Sequence, residues 1–203
     1  MNFLAHAVLA GESEADRVGG LIGDFIKGPL PAGLLPDLAS GVALHRAIDS
    51  FAEQHDAFIR SRRRISATRR RVAGILVDLY YDHVLARDWA DVTQTRRPPL
   101  DSFASELYEA LRRARTLLPP AARDIAERMQ SGNWLLSYRN LAAVGQAIDR
   151  MAIYRMRRAN PLAGGIEEFV ADAEGFADDF RVFFADAERF AADWRARRPA
   201  AIS

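Results

Sequence analysis

The stretch "DLYYDHVLARDW" (residues 78–89) decides how this chain folds, because it is apolar enough for a core yet carries Asp78, Asp82 and His83. With the preceding "RVAGILV" (71–77), its spacing predicts one buried helix. On such a helix Asp78 and Asp82 lie one turn apart on an apolar stripe, with His83 beside them. Two ionised carboxylates in a core need a compensating cation, because burying an unpaired charge is costly.

A second pair of polar residues, His45 and Asp49, repeats this arrangement at i and i+4 on the preceding predicted helix. Two interpretations stay open at this point. The carboxylates can form buried salt bridges with arginine, or they can bind a divalent cation. Mixed imidazole and carboxylate ligands suit Mn, Fe, Mg or Zn. Two such pairs on adjacent helices favour a metal site.

Further polar residues in the N-terminal region join this set. "GGLIGDFIKG" (19–28) places Asp24 after an apolar turn and Lys27 one turn further on, where its ammonium group can meet a phosphate. The glycines of this segment permit close approach of helices. His6 is a single histidine in the apolar segment "NFLAHAVLA" (2–10).

Helical spacing recurs along the whole chain, whereas the alternation typical of strands is nearly absent. We therefore expect an all-α protein, with about seven to eight helices in one domain over residues 1–203. An aromatic stripe on the last helix is expected to pack on the core; it consists of Phe169, Phe176, Phe180, Phe183, Ala187, Phe190 and Trp194. The predicted helices before it are Ser13–Ile26, Asp37–Ile59, Ser66–Trp89, Asp101–Leu118, Pro119 to about residue 130, and Trp134–Met156.

The composition excludes several classes of site and protein. The 203 residues include no cysteine, so disulfides, thiolate chemistry and cysteine-based zinc sites are ruled out. No apolar stretch approaches the roughly 18 residues that a transmembrane helix needs, and the N-terminus lacks the features of a signal peptide. A cytoplasmic location without membrane contact is the resulting expectation.

Charge is distributed unevenly, although the formal net charge is only +1. "RSRRRISATRRR" (60–71) holds seven arginines and no acid, whereas residues 167–193 carry nine acids. The basic run indicates a negatively charged partner, either nucleic acid or an acidic protein. No aromatic interleaving or DNA-reading motif accompanies it. The candidate partner-binding residues are Arg62, Arg63, Arg64, Arg69, Arg70 and Arg71.

The motifs "NFLAH", "GDFIKG", "GVALHRAIDSF" and "RRRVAGILVDLYYDHVLARDW", in this order over residues 1 to 90, resemble the acyl carrier protein phosphodiesterase family. The resemblance implies a distorted HD-type phosphohydrolase fold and a divalent metal, typically manganese. It also implies hydrolysis of the phosphodiester between 4′-phosphopantetheine and a serine of holo-acyl carrier protein. The chain departs from the family pattern in the order Asp82-His83 and at Ala52–Asp56, where His55 alone is kept.

Both lines of reasoning give one set of expected site residues. The catalytic residues are Asp24, Asp78, Asp82 and His83, and the candidate ligands are Asp24, His45, Asp49, Asp78, Asp82 and His6. Lys27 and Arg46 would bind phosphate. Three alternatives stay open: a hydrolase acting on a nucleotide or other small phosphoester, a helical binding protein whose buried acids pair with arginine, and a nucleic-acid-binding protein that uses the arginine run.

Overall fold

The computed structural model describes residues 3–30, 34–94, 96–154 and 160–197. All regular secondary structure in these ranges is helical. The predicted all-α class is confirmed. Within these ranges the α-helices are α1 (Phe3–Leu9), α2 (Glu14–Ile22), α3 (Pro36–Gln54), α4 (Asp56–Arg64), α5 (Ala73–Arg87), α6 (Trp89–Thr93), α7 (Leu100–Arg113), α8 (Pro120–Ser131), α9 (Trp134–Ser137), α10 (Leu141–Tyr154), α11 (Ile166–Ala171) and α12 (Ala173–Ala196). Short 3-10 segments span Gly23–Phe25, Ala67–Val72 and Arg115–Leu117.

The described residues therefore contain twelve α-helices, more than the seven to eight predicted, because polar residues interrupt several long helical patterns. His55 ends α3 and caps α4, with its Nδ1 accepting a hydrogen bond from the Ala57 N–H. Asp172 likewise separates α11 from α12 and accepts from the Gly175 N–H. Side chains that bond to backbone N–H groups favour such breaks. Met156, the predicted end of the helix from Trp134, lies outside the described residues.

The opening stretch lies mostly on α5, which is the central helix of the structure. Nearly every side chain from Leu76 to Ala86 is buried, including both tyrosines. Helices α1, α4, α10 and α12 all pack against it. A helix that is buried on nearly all sides is typical of such a central position.

The aromatic stripe packs on the core as predicted. Phe169, on α11, and the α12 residues from Phe176 to Ala187 on the stripe are buried, whereas Phe190 and Trp194 are partly buried. Helix α12 contacts α3, α4 and α5 through this face. The acidic face of α12 supplies the partner for part of the arginine run, as described below.

Helices α2 and α3 cross at unusually short range, and glycine makes this crossing possible. An ideal Cβ at Gly19 would lie 2.5 Å from the Leu38 carbonyl oxygen, and one at Gly41 would lie 2.6 Å from the Asp16 carbonyl oxygen. Such contacts are shorter than any side chain tolerates, so both positions need glycine. The crossing sets the end of α2 directly against the middle of α3.

No helix among the described residues is both long and apolar enough to cross a bilayer.

Candidate metal centre

Three titratable side chains from two separate helices, α1 and α3, lie close together. His6 on α1 and His45 on α3 stack with ring centroids 3.8 Å apart and planes inclined by 21°. Their Nε2 atoms lie 3.1 Å and 3.2 Å from the two carboxylate oxygens of Asp49. One ligand atom from each of the three residues lies within 4.8 Å of the others. This set of three residues is called the His6 cluster below.

The orientation of the His45 ring is fixed by backbone on the facing helix. Its Nδ1 lies 2.6 Å from the Gly20 carbonyl oxygen, so a proton on Nδ1 is donated to that oxygen. The other nitrogen, Nε2, then faces the carboxylates. Gly23 makes room for the ring, because an ideal Cβ there would lie 2.3 Å from the His45 Cγ. A backbone acceptor of this kind is the usual support of a metal-binding histidine.

His6 carries the clearest sign that a group other than protein belongs in this site. The side chain is only 2% exposed. Among the described residues neither of its ring nitrogens makes a hydrogen bond, although Nε2 lies 3.1 Å from an Asp49 oxygen. Burial, together with the charge of His45, lowers the pKa of His6 to about 3. The ring is therefore neutral at physiological pH and offers a lone pair.

Asp24 and Asp49 form the accessible side of the site and carry negative charge. Burial is the largest single influence on the pKa of His45 and lowers it, but Asp24 and Asp49 together outweigh burial and raise this pKa to about 9. His45 in turn holds the pKa of Asp24 below its ordinary value. The Asp24 oxygen lies 3.8 Å from His45 Nε2, and the two carboxylates are 39% and 41% exposed. Ligands therefore have access from solvent.

The residues of the His6 cluster fit a divalent metal ion. They offer two imidazoles and one carboxylate, which transition metals and zinc accept. Two ligands that each lie about 2.1 Å from an ion are at most about 4.2 Å apart, so small side-chain rotations would bring all three onto one ion. Asp24 is placed to become a further ligand or to orient a bound water.

The other predicted ligands lie on α5 and are not part of this cluster. Both oxygens of Asp82 accept hydrogen bonds from α1, at 2.8 Å from the Leu4 N–H and 3.0 Å from the Ala5 N–H. Within the described residues Asp82 therefore pairs with backbone and not with arginine. His83 lies elsewhere, with its Nδ1 2.7 Å from the Tyr138 carbonyl oxygen and its ring edge against Phe169. Ligand or catalytic roles for both residues stay predictions.

Asp78 on α5 interacts electrostatically with the carboxylates of the site. Burial raises its pKa most, and the charges of Asp49 and Asp24 raise it further. The carboxylates of these three residues therefore influence one another, which is the arrangement that a cation would stabilise. The predicted ligand role of Asp78 is compatible with this position and stays a prediction.

The two predicted phosphate-binding residues lie on the segments that carry Asp24 and His45. Lys27 is exposed and follows Asp24 by three residues. Arg46 is half-buried and donates a hydrogen bond of 2.7 Å from one terminal nitrogen to the Ile26 carbonyl oxygen, which holds the segment after Asp24 against α3. A guanidinium has five N–H donors, so Arg46 retains others for an anion.

The predicted partner-binding arginines divide into three groups. Arg64 pairs with Asp172 and Asp179 and ties α12 to α4. Arg69 pairs with Glu168 and ties α11 to the 3-10 segment Ala67–Val72. Arg70 bonds to the carbonyl oxygens of Arg62 and Arg63. The side chains of Arg62, Arg63 and Arg71 are exposed and form no ion pair with any residue in the described ranges. These three arginines are called the free arginines below.

Sequence reasoning named every member of the His6 cluster, although it expected His6 to contribute least. In the structure the His6 ring lies against both His45 and Asp49. The contributions of the Gly20 carbonyl and of Gly23 were not predicted, although the glycine run of residues 19–23 already indicated close helix approach.

Comparison with known proteins gives the family of the chain. The family model described as acyl carrier protein phosphodiesterase matches residues 1–187. An acyl carrier protein phosphodiesterase from Photorhabdus laumondii is 30% identical over 175 residues, which cover 85% of this chain and 87% of the relative. One from Escherichia coli K12 is 31% identical over 157 residues, covering 77% and 80%. No solved structure matches the chain, so the relation to HD-type phosphohydrolases stays a prediction. The chain belongs to the acyl carrier protein phosphodiesterase family of enzymes.

Proposed function

We propose that this protein is a divalent-metal-dependent phosphodiesterase that acts on holo-acyl carrier protein. It would hydrolyse the phosphodiester that links 4′-phosphopantetheine to a serine, releasing 4′-phosphopantetheine and apo-acyl carrier protein. The observation that carries the metal dependence is the His6 cluster, in which a buried neutral histidine makes no hydrogen bond among the described residues. Manganese is the first metal to test. The proposal includes a single domain, a cytoplasmic location and a role alongside fatty acid biosynthesis.

The proposed chemistry assigns a task to each group at the site. Divalent metals supply Lewis-acid polarisation of phosphoryl oxygens and an acidified water. His6, His45 and Asp49 would hold the ion, and the Gly20 carbonyl would keep Nε2 of His45 turned towards it. Asp24 is ionised and half-exposed, so it can accept a proton from an attacking water. Lys27 and Arg46 would offset the charge of the phosphodiester.

The direct test measures the intact mass of holo-acyl carrier protein after incubation with the purified protein and Mn²⁺, with and without EDTA. We expect loss of the phosphopantetheine mass with the metal and none with the chelator, because the proposed chemistry would depend on a metal held by His6, His45 and Asp49. Mass loss that EDTA leaves unchanged would contradict metal dependence. An unchanged mass with folded, Mn²⁺-loaded protein would reject this substrate in favour of a smaller phosphoester.

Metal binding is expected to weaken as pH falls. The raised pKa of His45, about 9, means that the ring is protonated at neutral pH, and an ion must displace this proton. His6 is neutral above its pKa of about 3 and adds no such dependence. The dissociation constant for Mn²⁺ should rise about tenfold per unit between about pH 7.5 and 6.5. Calorimetric titration in buffers of different ionisation enthalpy measures both affinity and proton release. An affinity independent of pH would contradict this assignment.

The free arginines are the part of the basic run that remains available for an acidic carrier protein. Charge reversal in the double variant Arg62→Glu/Arg63→Glu should raise KM by about tenfold and leave kcat unchanged, since the change affects encounter and not chemistry. Steady-state kinetics at two salt concentrations measures this effect, which should shrink at high salt. The control is Arg128→Glu on α8, another exposed arginine. An unchanged KM, or an equal change in the control, would contradict docking at this surface.

A further inference from the structure

Asp82 is the anchor of α1 in this structure. The side chain is 0% exposed, and its two oxygens accept hydrogen bonds from the consecutive N–H groups of Leu4 and Ala5. The first N–H groups of a helix have no partner within the helix. The buried carboxylate of Asp82 on α5 thus accepts from two of these N–H groups, which lie 78 and 77 residues before it in the chain.

The residue after these two N–H groups is His6. The His6 ring has a close polar neighbour in the Asp49 carboxylate, 3.1 Å from its Nε2, but no backbone group fixes the ring as the Gly20 carbonyl fixes His45. Its place opposite His45 therefore depends on the α1 backbone and on packing. The backbone is tied to α5 by Asp82 only one and two residues before the histidine.

We propose that Asp82 is a positioning residue, which places His6 in the metal centre by holding the first turn of α1. The two hydrogen bonds to Asp82 are seen in the structure and do not depend on a metal. The expected effect of Asp82 on metal affinity rests on the proposed function. It predicts that Asp82 acts entirely through His6, and that it does not contact the ion. A ligand role would instead make the contributions of Asp82 and His6 to metal affinity independent.

The first experiment uses the metal-free protein, so it does not depend on the proposed function. NMR of histidine-labelled protein should show contacts between the stacked rings of His6 and His45, whose centroids are 3.8 Å apart. In Asp82→Asn, which replaces one acceptor oxygen by an NH2 donor, these contacts should disappear. Signals of His55, which bonds to Asp186 on α12, should not change. Persistence of the His6–His45 contacts would overturn the proposal.

The second experiment compares Mn²⁺ affinity in the wild type, Asp82→Asn, His6→Ala and the double variant. Asp82→Asn should weaken binding about 10- to 100-fold, the usual effect of losing a residue that supports a ligand. The double variant should bind no more weakly than His6→Ala, because the two changes remove one contribution. Additive losses, or an unchanged affinity in Asp82→Asn, would reject positioning through His6.

Two further outcomes are distinguishable. If Asp82→Asn does not fold, Asp82→Glu keeps both carboxylate oxygens but displaces α1 by a longer side chain, and the same non-additivity with His6→Ala is expected. If the wild type binds no Mn²⁺ while the ring contacts disappear in Asp82→Asn, the metal proposal fails and the positioning role of Asp82 stands.

Discussion

Replacement of Asp49 by asparagine should reduce kcat/KM for holo-acyl carrier protein by at least about 100-fold. Asp49 faces both histidine rings, at 3.1 Å and 3.2 Å, and is the member of the His6 cluster that supplies a negative charge. Loss of a residue that merely supports a ligand costs about 10- to 100-fold, and loss of the ligand itself should cost no less. Asparagine has nearly the same shape, so the helical circular dichroism signal should persist.

The matched control is Glu53→Gln. Glu53 lies one turn after Asp49 on α3 and is exposed, so this variant makes the same carboxylate-to-amide change on the same helix outside the cluster. Its activity and Mn²⁺ affinity should equal those of the wild type. Calorimetry and the carrier-protein mass assay on both variants measure the difference. Normal turnover by folded Asp49→Asn would refute the assignment of the metal centre.

Replacement of Gly41 by alanine should destabilise the protein by about 2 kcal/mol, within the range of about 1–3 kcal/mol that overpacking costs. The new methyl group would meet backbone atoms of α2, with Asp16 O at 2.6 Å and Gly19 Cα at 2.9 Å, and backbone cannot rotate away. Helices α2 and α3 must then separate. Because they carry the Gly20 carbonyl and His45, metal affinity should fall together with stability.

Gly74→Ala provides the control for this change. Gly74 is also helical, but an ideal Cβ there meets no atom within 4 Å. Alanine is a better helix former than glycine by about 1 kcal/mol, so this variant should be at least as stable as the wild type. Urea unfolding of both metal-free variants measures the free energy of unfolding. Equal stability of Gly41→Ala and Gly74→Ala would show that the helix crossing tolerates a side chain.

Much of the candidate site could be predicted from the sequence because apolar periodicity defines helix faces. The polar residues His45, Asp49, Asp78 and Asp82 stand out on those faces as exceptions. Their residue types indicated a cation without any knowledge of the fold. The same reasoning predicted the aromatic stripe of α12, whose spacing alone requires a buried partner.

The division of tasks among the polar residues could not be predicted in this way. Periodicity shows that a side chain is buried, but not which atoms of a distant segment it meets. Asp82 and Asp49 have the same chemistry, yet one faces the N–H groups of α1 and the other faces two imidazoles. Likewise, Arg64 and Arg69 differ from the free arginines only in the acidic helices that lie beside them.

The sequence by itself determined the helical class, the central position of α5 and the set of residues from which a metal centre could be built. The reason is that these features depend on local spacing and on the cost of burying charge. Only the tertiary structure decided which residues converge, since the His6 cluster joins α1 to α3 across a gap of about forty residues. That convergence depends on the close crossing of α2 and α3 at Gly19 and Gly41 and on the hydrogen bonds of Asp82 to α1. Both are contacts between segments distant in the chain, and the spacing of apolar residues does not predict such contacts.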